Sequence, residues 1–292
     1  MDQNNCKSTA IKAGLSLSDI LTLLEIAKNA SEIGSSILRN HYGNLTSINH
    51  KETKGDLVTN ADIESEAEII KYLTSCNSEI SILAEERGFL NHNNNLYWCI
   101  DPLDGTTNFA HGYPFFATSI GLVYEDCPIL GSISIPFIKE HYWAAPSVGA
   151  FCNGETLHVS SNQNLTDSLL VTGFAYDRHK TLDNNYSEFC RLTHRSRGVR
   201  RGGAAAVDLA FVASGRIDGY WERGLAKWDL AAGVAIVELS GGRVTDYYGN
   251  NFDLSEGKVL ATNGLIHNQL SKELNSTRPI PSKYYEIDET NN

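Results

Sequence analysis

The sequence contains no long hydrophobic run: no apolar stretch approaches the ~18 residues that a membrane-spanning helix requires. Residues 1–18 are polar and lack the apolar centre of a secretory signal peptide. These two absences predict a protein without a membrane span that stays in the cytoplasm.

Cysteine pairs at metal-binding or redox spacing are also missing. The six cysteines are scattered without any C-x-x-C motif: Cys6, Cys76, Cys99, Cys127, Cys152 and Cys190. Such scatter argues against a disulfide framework and against a zinc site. We expect reduced cysteines with structural roles.

Basic charge is scarce. The chain has 24 lysines and arginines against 35 acidic residues, which gives a net charge of −11. Such a chain repels nucleic acid and anionic membranes unless its charge is strongly segregated, so neither is an expected partner. The basic cluster lacks interleaved aromatic residues and is expected to be a solvated or interface patch near an anionic substrate; it consists of Arg191, Arg195, Arg197, Arg200 and Arg201.

Hydrophobic periodicity predicts two differently organised halves without an internal repeat. In the first half we expect helices over residues 19–39 and 61–73, and strands over residues 80–84, 97–100, 116–123, 129–135, 141–145 and 149–152. In the second half we expect strands over residues 169–172, 217–221 and 259–262, and helices over residues 186–192, 204–213, 230–239 and 266–274. The first half is therefore of the α+β type and the second of the α/β type.

These patterns divide the 292 residues into four segments. Residues 1–18 form an N-terminal extension and residues 19–157 an α+β subdomain. Residues 158–276 form an α/β subdomain, and residues 277–292 a polar, flexible tail with two prolines.

Four acidic sites lie beside local breaks in structure. Glu85 and Glu86 directly follow a predicted strand, and the segment 101–108, DPLDGTTN, follows the next one. Asp229 lies between Trp228 and a Gly/Ala-rich helix, and Asp62 comes three residues after Thr59.

The segment 101–108 combines the ligands of a hard cation with donors for an anion. Pro102 stiffens the backbone and Gly105 permits a tight turn, which returns Asp104 to the vicinity of Asp101. Backbone N–H groups that open the following turn or helix attract phosphate. Mg²⁺ prefers carboxylates, phosphate oxygens and water, and a divalent metal lets an acidic protein bind an anion. The segment thus fits phosphoryl chemistry in which metals bridge enzyme and phosphate.

Each acidic site also has a purely structural explanation. Glu85 and Glu86 can be a solvated strand end, and Asp229 can cap its helix. Thr59 and Asp62 match a capping box, and a D-G turn explains part of the segment 101–108. The four sites together favour a functional interpretation that none supports alone.

The motifs 56–62 (DLVTNAD), 85–86 (EE), 101–109 (DPLDGTTNF) and 228–233 (WDLAAG), with Gly241 and Gly242, resemble those of the inositol monophosphatase family in order and spacing. The resemblance covers roughly residues 19–275. It is nearest to bacterial members over residues 200–228. It implies an α/β fold with an α-β-α-β-α sandwich of five layers, usually dimeric, and a lithium-sensitive Mg²⁺-dependent phosphatase. The subdomain 19–157 would bind metal and phosphate, and the subdomain 158–276 would bind substrate.

The resemblance also implies roles for individual residues. Glu85, Asp101 and the Leu103 carbonyl would hold one Mg²⁺, and Asp101, Asp104 and Asp229 a second, with Glu85 helping a third, weaker metal. The N–H groups of Gly105 and Thr106 would bind phosphate. The Thr106 hydroxyl and Asp62 would orient and deprotonate the attacking water, with Glu86 behind them. The polyol pocket would be lined by Asp104, Ala205, Glu222 and Asp229.

Three positions qualify this assignment. Ala204 stands where relatives often place Thr or Ser, so we expect the pocket to lack a polar contact at this position. His111 is expected to have a packing or surface role, and Trp228 to pack beside Asp229.

The leading function is hydrolysis of inositol 1-phosphate without a phosphoenzyme, and three alternatives stay open. A phospho-aspartyl phosphatase favours D-x-D-G-T, whereas Asp101 and Asp104 are three residues apart. The same mechanism could act on histidinol phosphate, fructose 1,6-bisphosphate or 3′-phosphoadenosine 5′-phosphate, although Glu222 suits a second phosphate poorly. The third alternative is a binding or regulatory protein that has kept the fold.

Overall fold

The computed structural model describes residues 5–50, 57–90 and 95–280. Residues 1–4 of the predicted extension, Asp56 of the first motif and residues 281–292 of the predicted tail lie outside the described residues. Within those three ranges, no helix is both long and apolar enough to cross a bilayer.

The described residues form eight α-helices and fifteen strands. The helices are α1 (Asn5–Lys12), α2 (Leu17–His41), α3 (Asn60–Cys76), α4 (Thr106–Ala110), α5 (Tyr186–Arg195), α6 (Ala205–Ala213), α7 (Lys227–Leu239) and α8 (His267–Ser276). The strands are β1 (Ile48–His50), β2 (Leu57–Thr59), β3 (Ser81–Ala84), β4 (Gly88–Leu90), β5 (Leu96–Asp104), β6 (Ala117–Tyr124), β7 (Cys127–Ile135), β8 (Glu140–Ala145), β9 (Gly149–Cys152), β10 (Glu155–Thr156), β11 (Leu169–Thr172), β12 (Gly198–Arg201), β13 (Gly219–Arg223), β14 (Arg243–Thr245) and β15 (Lys258–Thr262).

Two large sheets organise the chain. The first has eight strands in the order β10-β9-β8-β7-β6-β5-β3-β4, antiparallel except for the parallel pair β3 and β5. The second has five strands in the order β12-β11-β13-β15-β14. Its strands β12, β11 and β13 are parallel, whereas β15 and β14 run antiparallel to their neighbours.

Helices cover both faces of both sheets, which confirms the α-β-α-β-α sandwich. Helices α2 and α3 pack on the outer face of the first sheet, and α6 and α7 lie between the two sheets. Helices α5 and α8 cover the outer face of the second sheet. Strands β6 and β7 are buried almost end to end, as expected for strands with helices on both faces.

Helix α7 approaches the first sheet unusually closely because β6 and β7 present glycines to it. A Cβ built on Gly131 would lie 2.4 Å from the Ala232 carbonyl oxygen. A Cβ built on Gly121 would lie 2.7 Å from the Cβ of Ala231. The small residues of α7 and these two glycines therefore set the distance between helix and sheet, and with it the position of Asp229.

The main differences from the sequence expectations concern short elements. Helix α1 was not predicted because its sequence is polar; it docks through buried Cys6, Thr9 and Ala10, and the Cys6 thiol donates to Glu238 at 3.2 Å. Helix α2 begins at Leu17 rather than residue 19, after a capping box formed by Ser16 and Asp19. The brief elements β1, β2, β4, β10, β12, β14 and α4 are too short to show periodicity.

Candidate active site

The parallel register of β3 and β5 brings two acidic residues side by side. Ala84 pairs with Ile100, so Glu85, directly after β3, lies beside Asp101 on β5. Both are near the carboxyl ends of these parallel strands, where α/β sheets commonly place functional residues. Asp101 is 2% exposed, and the Leu103 N–H donates to its Oδ1 at 3.0 Å.

A β-bulge brings Asp104 to the same side as Asp101. Asp101 pairs with Ser119 and Asp104 with Ala117, so three residue steps on β5 face two on β6. On a regular strand, two residues three positions apart point to opposite faces. The extra residue cancels that alternation. Pro102 fits here because its missing N–H removes a ladder donor, and its carbonyl accepts from Ser65 and Thr118, both at 3.2 Å.

The start of α6 holds the Asp104 carboxylate. The N–H of Ala205 donates to Oδ1 at 3.1 Å, and the N–H of Ala206 donates to Oδ2 at 2.8 Å. These groups belong to the helix N-terminus, which favours a negative charge. Burial raises the pKa of Asp104 to about 7 against the lowering effect of these N–H groups.

Asp229 completes a cluster of three carboxylates. It lies in the first turn of α7, where its Oδ2 accepts from the Ala226 N–H at 2.7 Å. Oxygens of Asp101, Asp104 and Asp229 all lie within 4.8 Å of one another. Burial raises the pKa of Asp101 well above its usual range, and the nearby charges of Glu85, Asp104 and Asp229 raise it further. A cation would relieve this repulsion, so the cluster can hold a metal ion.

The Thr106 hydroxyl links this cluster to Asp62. It lies 3.1 Å from Asp62 Oδ1 and 3.0 Å from the Leu103 carbonyl oxygen, and it can donate to either. Thr59 donates to Asp62 Oδ2 through its N–H at 2.8 Å and its hydroxyl at 2.5 Å. The predicted capping box is therefore present, and Asp62 reaches the site as well. Burial raises the pKa of Asp62 to about 6, although these hydrogen bonds act to lower it.

Glu86 lies behind Asp62 rather than in the cleft. Its backbone N–H donates to Glu66 Oε2 at 2.8 Å, and its charge acts to raise the pKa of Asp62. Glu66 is 1% exposed and lies 3.4 Å from the Nε of Arg87. Glu66 was not predicted from the sequence, because a single charged residue on the buried face of α3 was its only local indication.

A cleft of about 430 Å³ opens over the carboxylates. Most of the predicted site residues line it: Glu85, Asp101, Leu103, Asp104, Gly105, Thr106, Ala205, Glu222 and Asp229. Gly105 adopts φ 90° and precedes α4, whose first-turn N–H groups have no partner inside the helix. Neither Asp62 nor Glu86 lines the cleft, and Asp62 reaches it only through Thr106.

Glu222 reaches the cleft from the second sheet. Thr172 on β11 pairs with Trp221 on β13, which places Gly173 beside Glu222. A Cβ on Gly173 would lie 2.1 Å from the Glu222 carboxylate, so any larger residue at position 173 would displace that carboxylate. The Tyr220 hydroxyl donates to Glu222 Oε2 at 2.7 Å, and burial raises the pKa of Glu222 to about 7.

The structure adds cleft residues that the sequence did not assign. Arg178 and Arg201 line the cleft; Arg178 donates to the Ala175 carbonyl at 3.2 Å, and the charge of Arg201 acts to lower the pKa of Glu222. Phe174, Ala175 and Tyr176 line it too. These residues follow β11 in a segment without a periodic sequence pattern, so their position in the cleft could not be predicted from the sequence.

His111 and Trp228 lie in positions that agree with the roles expected for them. His111 is exposed at the end of α4 and is not among the residues that line the cleft. Trp228 packs against the main hydrophobic core and also borders the cleft.

Comparisons with known proteins agree on one family. The sequence model of the inositol monophosphatase family matches residues 19–279 of this chain. An inositol-1-monophosphatase from Synechocystis sp. is 50% identical over 271 residues, covering 92% of this chain and 94% of that protein. The chloroplastic phosphatase IMPL1 of Arabidopsis thaliana is 41% identical, covering 86% of this chain and 70% of that protein. A solved inositol monophosphatase from Anabaena superimposes with a TM-score of 0.82 at 45% identity, covering 90% of this chain and 98% of that one.

Proposed function

The chain belongs to the inositol monophosphatase family and is a phosphoric monoester hydrolase, and from that premise we propose that it hydrolyses inositol 1-phosphate with Mg²⁺. The observation that carries the metal dependence is the convergence of Asp101, Asp104 and Asp229 within 4.8 Å in the cleft. The inositol specificity is supported by the similarity to the Synechocystis protein named for that activity.

Carboxylate oxygens suit Mg²⁺, and a cation would offset the burial and the repulsion from Glu85, Asp104 and Asp229 that raise the pKa of Asp101. Glu85, Asp101 and the Leu103 carbonyl would hold one ion, and Asp101, Asp104 and Asp229 a second. A third, weaker ion would depend on Glu85. When bound, the ions supply charge neutralisation and a more acidic water.

The protein supplies orientation and proton removal. The Thr106 hydroxyl hydrogen-bonds Asp62, so this pair can align a water and accept its proton. The pKa of Asp62, about 6, leaves it able to accept a proton at neutral pH. Backbone N–H groups of Gly105 and Thr106 would bind the phosphate oxygens. No nucleophilic side chain is needed, so we expect no phosphoenzyme.

The polyol pocket would be formed by Asp104, Ala205, Glu222 and Asp229, all of which line the cleft. Glu222 accepts from Tyr220 through one oxygen, which leaves the other for a substrate hydroxyl. A hydrogen-bonded carboxylate of this kind discriminates a hydroxyl-rich substrate from an apolar one.

The test is a turnover assay over inositol 1-phosphate, histidinol phosphate, fructose 1,6-bisphosphate and 3′-phosphoadenosine 5′-phosphate, each with Mg²⁺ and with chelator. We expect the highest kcat/KM on inositol 1-phosphate and no turnover with chelator. Turnover that survives chelation would refute the metal dependence, and phosphate trapped on Asp101 would refute the direct attack of water.

A second candidate is a substrate with a further anionic group, such as fructose 1,6-bisphosphate. Arg178 and Arg201 favour it, because both line the cleft and bring positive charge to it. They weaken the sequence argument that Glu222 disfavours a second phosphate. Substituting both by Gln should raise KM for the bisphosphate and leave KM for inositol 1-phosphate nearly unchanged; equal changes would remove this candidate.

Four further properties stay predictions from the sequence: a homodimer, a cytoplasmic location, inhibition by lithium, and the absence of nucleic-acid and membrane partners. Light scattering coupled to size exclusion measures the first. Lithium titration of turnover tests the third.

A further inference from the structure

The turn between β6 and β7 holds two residues in an unfavourable backbone conformation. Tyr124 pairs with Cys127, so Glu125 and Asp126 form a two-residue hairpin turn. Their φ angles are 48° and 59°. Turns of this type prefer Asn, Asp and Gly at these positions, so Glu125 is the less favourable of the two residues.

Asp126 uses this conformation to bind two donors with one oxygen. Its Oδ1 accepts from Lys227 Nζ at 2.6 Å and from the Tyr97 hydroxyl at 2.5 Å. Tyr97 is 4% exposed on β5. Partial burial acts to raise the pKa of Asp126, but these two hydrogen bonds outweigh it and hold the pKa below its usual range.

Lys227 is itself in an unfavourable place. It is the first residue of α7, where the helix dipole disfavours a positive charge. The N-cap residue, Ala226, makes no side-chain cap hydrogen bond. The Asp229 carboxylate caps the Ala226 N–H at 2.7 Å, and the contact of Lys227 with Asp126 adds a second, long-range attachment to the start of α7.

The bridge lies next to the acidic cluster. Asp229 is two residues after Lys227, and Asp101 lies on the same strand as Tyr97.

We propose that the bridge Tyr97–Asp126–Lys227 is a positioning device that fixes the first turn of α7 and so holds Asp229 against Asp101 and Asp104 for metal binding. Two locally unfavourable choices converge on it: Glu125 in the left-handed region beside Asp126, and a lysine at a helix start. Such choices in one place indicate a functional constraint. The inference rests on the proposed metal site and adds residues outside the cleft to it.

Simple stabilisation does not account for the bridge. The side chains of Lys227 and Asp126 are 26% and 44% exposed, and ion pairs of that exposure contribute little to the stability of a fold. The pair Lys28–Glu25 on α2 has a similar distance, 2.7 Å, and exposures of 24% and 63%, and it lies on the outer layer. It provides a matched control.

The experiment titrates substrate-free enzyme with Mg²⁺ by calorimetry and measures melting in EDTA, for wild type, Lys227→Met, Lys227→Arg, Asp126→Asn and Lys28→Met. We expect Lys227→Met and Asp126→Asn to weaken Mg²⁺ binding roughly tenfold, the lower end of what losing an outer partner costs a metal site. Lys227→Arg should retain most of the affinity. Lys28→Met should leave it unchanged while melting at a temperature similar to that of Lys227→Met.

Unaltered Mg²⁺ affinity in Lys227→Met would overturn the bridge and leave the proposed function standing. An equal loss in Lys28→Met would overturn it too, because the effect would then be general destabilisation. A wild-type protein that binds no divalent cation would refute the proposed function, and the bridge with it.

Discussion

The cleft is lined by two groups of residues that are held in different ways. The acidic cluster stands on a strand end and helix starts, and backbone N–H groups bind each carboxylate: Leu103 for Asp101, Ala205 and Ala206 for Asp104, and Ala226 for Asp229. Residues 174–178 belong to a stretch between Thr172 and Tyr186 that has neither helix nor strand. Its attachment to β13 includes the ion pair Arg223–Asp177 at 2.5 Å.

We expect the acidic cluster to determine the reaction and residues 174–178 to determine substrate preference. A metal site requires fixed geometry, which strands and helix starts provide. A loop tolerates change and can adapt the cleft to another ester. Substitutions in the acidic cluster should therefore change turnover on every substrate, and substitutions in the loop should change preference.

The largest effect is expected for Asp101→Asn. Losing a ligand charge should lower kcat by more than about 100-fold, beyond the usual cost of an outer partner. The fold should persist, because Asn can still accept from Leu103, and removing a charge from the crowded cluster should raise the melting temperature in EDTA. Stopped assays and calorimetry measure both, and near-full activity would refute the metal assignment.

Thr106→Ala should follow, with a loss of about 100-fold in kcat, because the hydroxyl that aligns water on Asp62 disappears. Thr106→Ser keeps the hydroxyl and is the matched control. Mg²⁺ affinity should change little in either variant. Similar rates for Ala and Ser would show that the hydroxyl has no part in the reaction.

An intermediate effect is expected for Glu222→Gln in the cleft. It should raise KM for inositol 1-phosphate about tenfold, the value of one hydrogen bond to a charged group, and leave Mg²⁺ affinity unchanged. KM for esters without a matching hydroxyl should stay the same. An equal loss on every ester would contradict the pocket role.

The smallest effect is expected for Asp177→Asn in the loop. Losing its ion pair with Arg223 is worth up to ~1 kcal/mol, so KM should rise by no more than about fivefold while kcat is kept. Asp167→Asn removes a surface ion pair outside the cleft, at 3.5 Å from Arg197, and serves as control. A fall in kcat with unchanged KM would mean that the loop shapes the chemistry itself.

Much of the candidate site could be predicted from local sequence. Asp101, Gly105 and Thr106 lie in one continuous segment, so their proximity could be inferred. Asp229 was added through its own motif, residues 228–233. Asp62 shows that a structural and a functional explanation can both hold: it closes the capping box with Thr59 and contacts Thr106. The same applies to Asp229, which accepts from Ala226 and meets Asp101 and Asp104.

Other features depend on tertiary contacts that have no local signature. Arg178 and Tyr176 enter the cleft through an irregular segment whose path is set by distant partners such as Arg223. The docking of α1 depends on Cys6 meeting Glu238, more than 200 positions away. The charge pair of Asp126 and Lys227 is likewise invisible until β6, β7 and α7 have packed.

The bulge in β5 couples the number of residues between Asp101 and Asp104 to the direction in which their side chains point. Three residue steps on a regular strand would turn Asp104 away from Asp101, and the extra residue of the bulge returns it to the same face. The segment between Thr172 and Tyr186 belongs to no strand and is under no such register constraint.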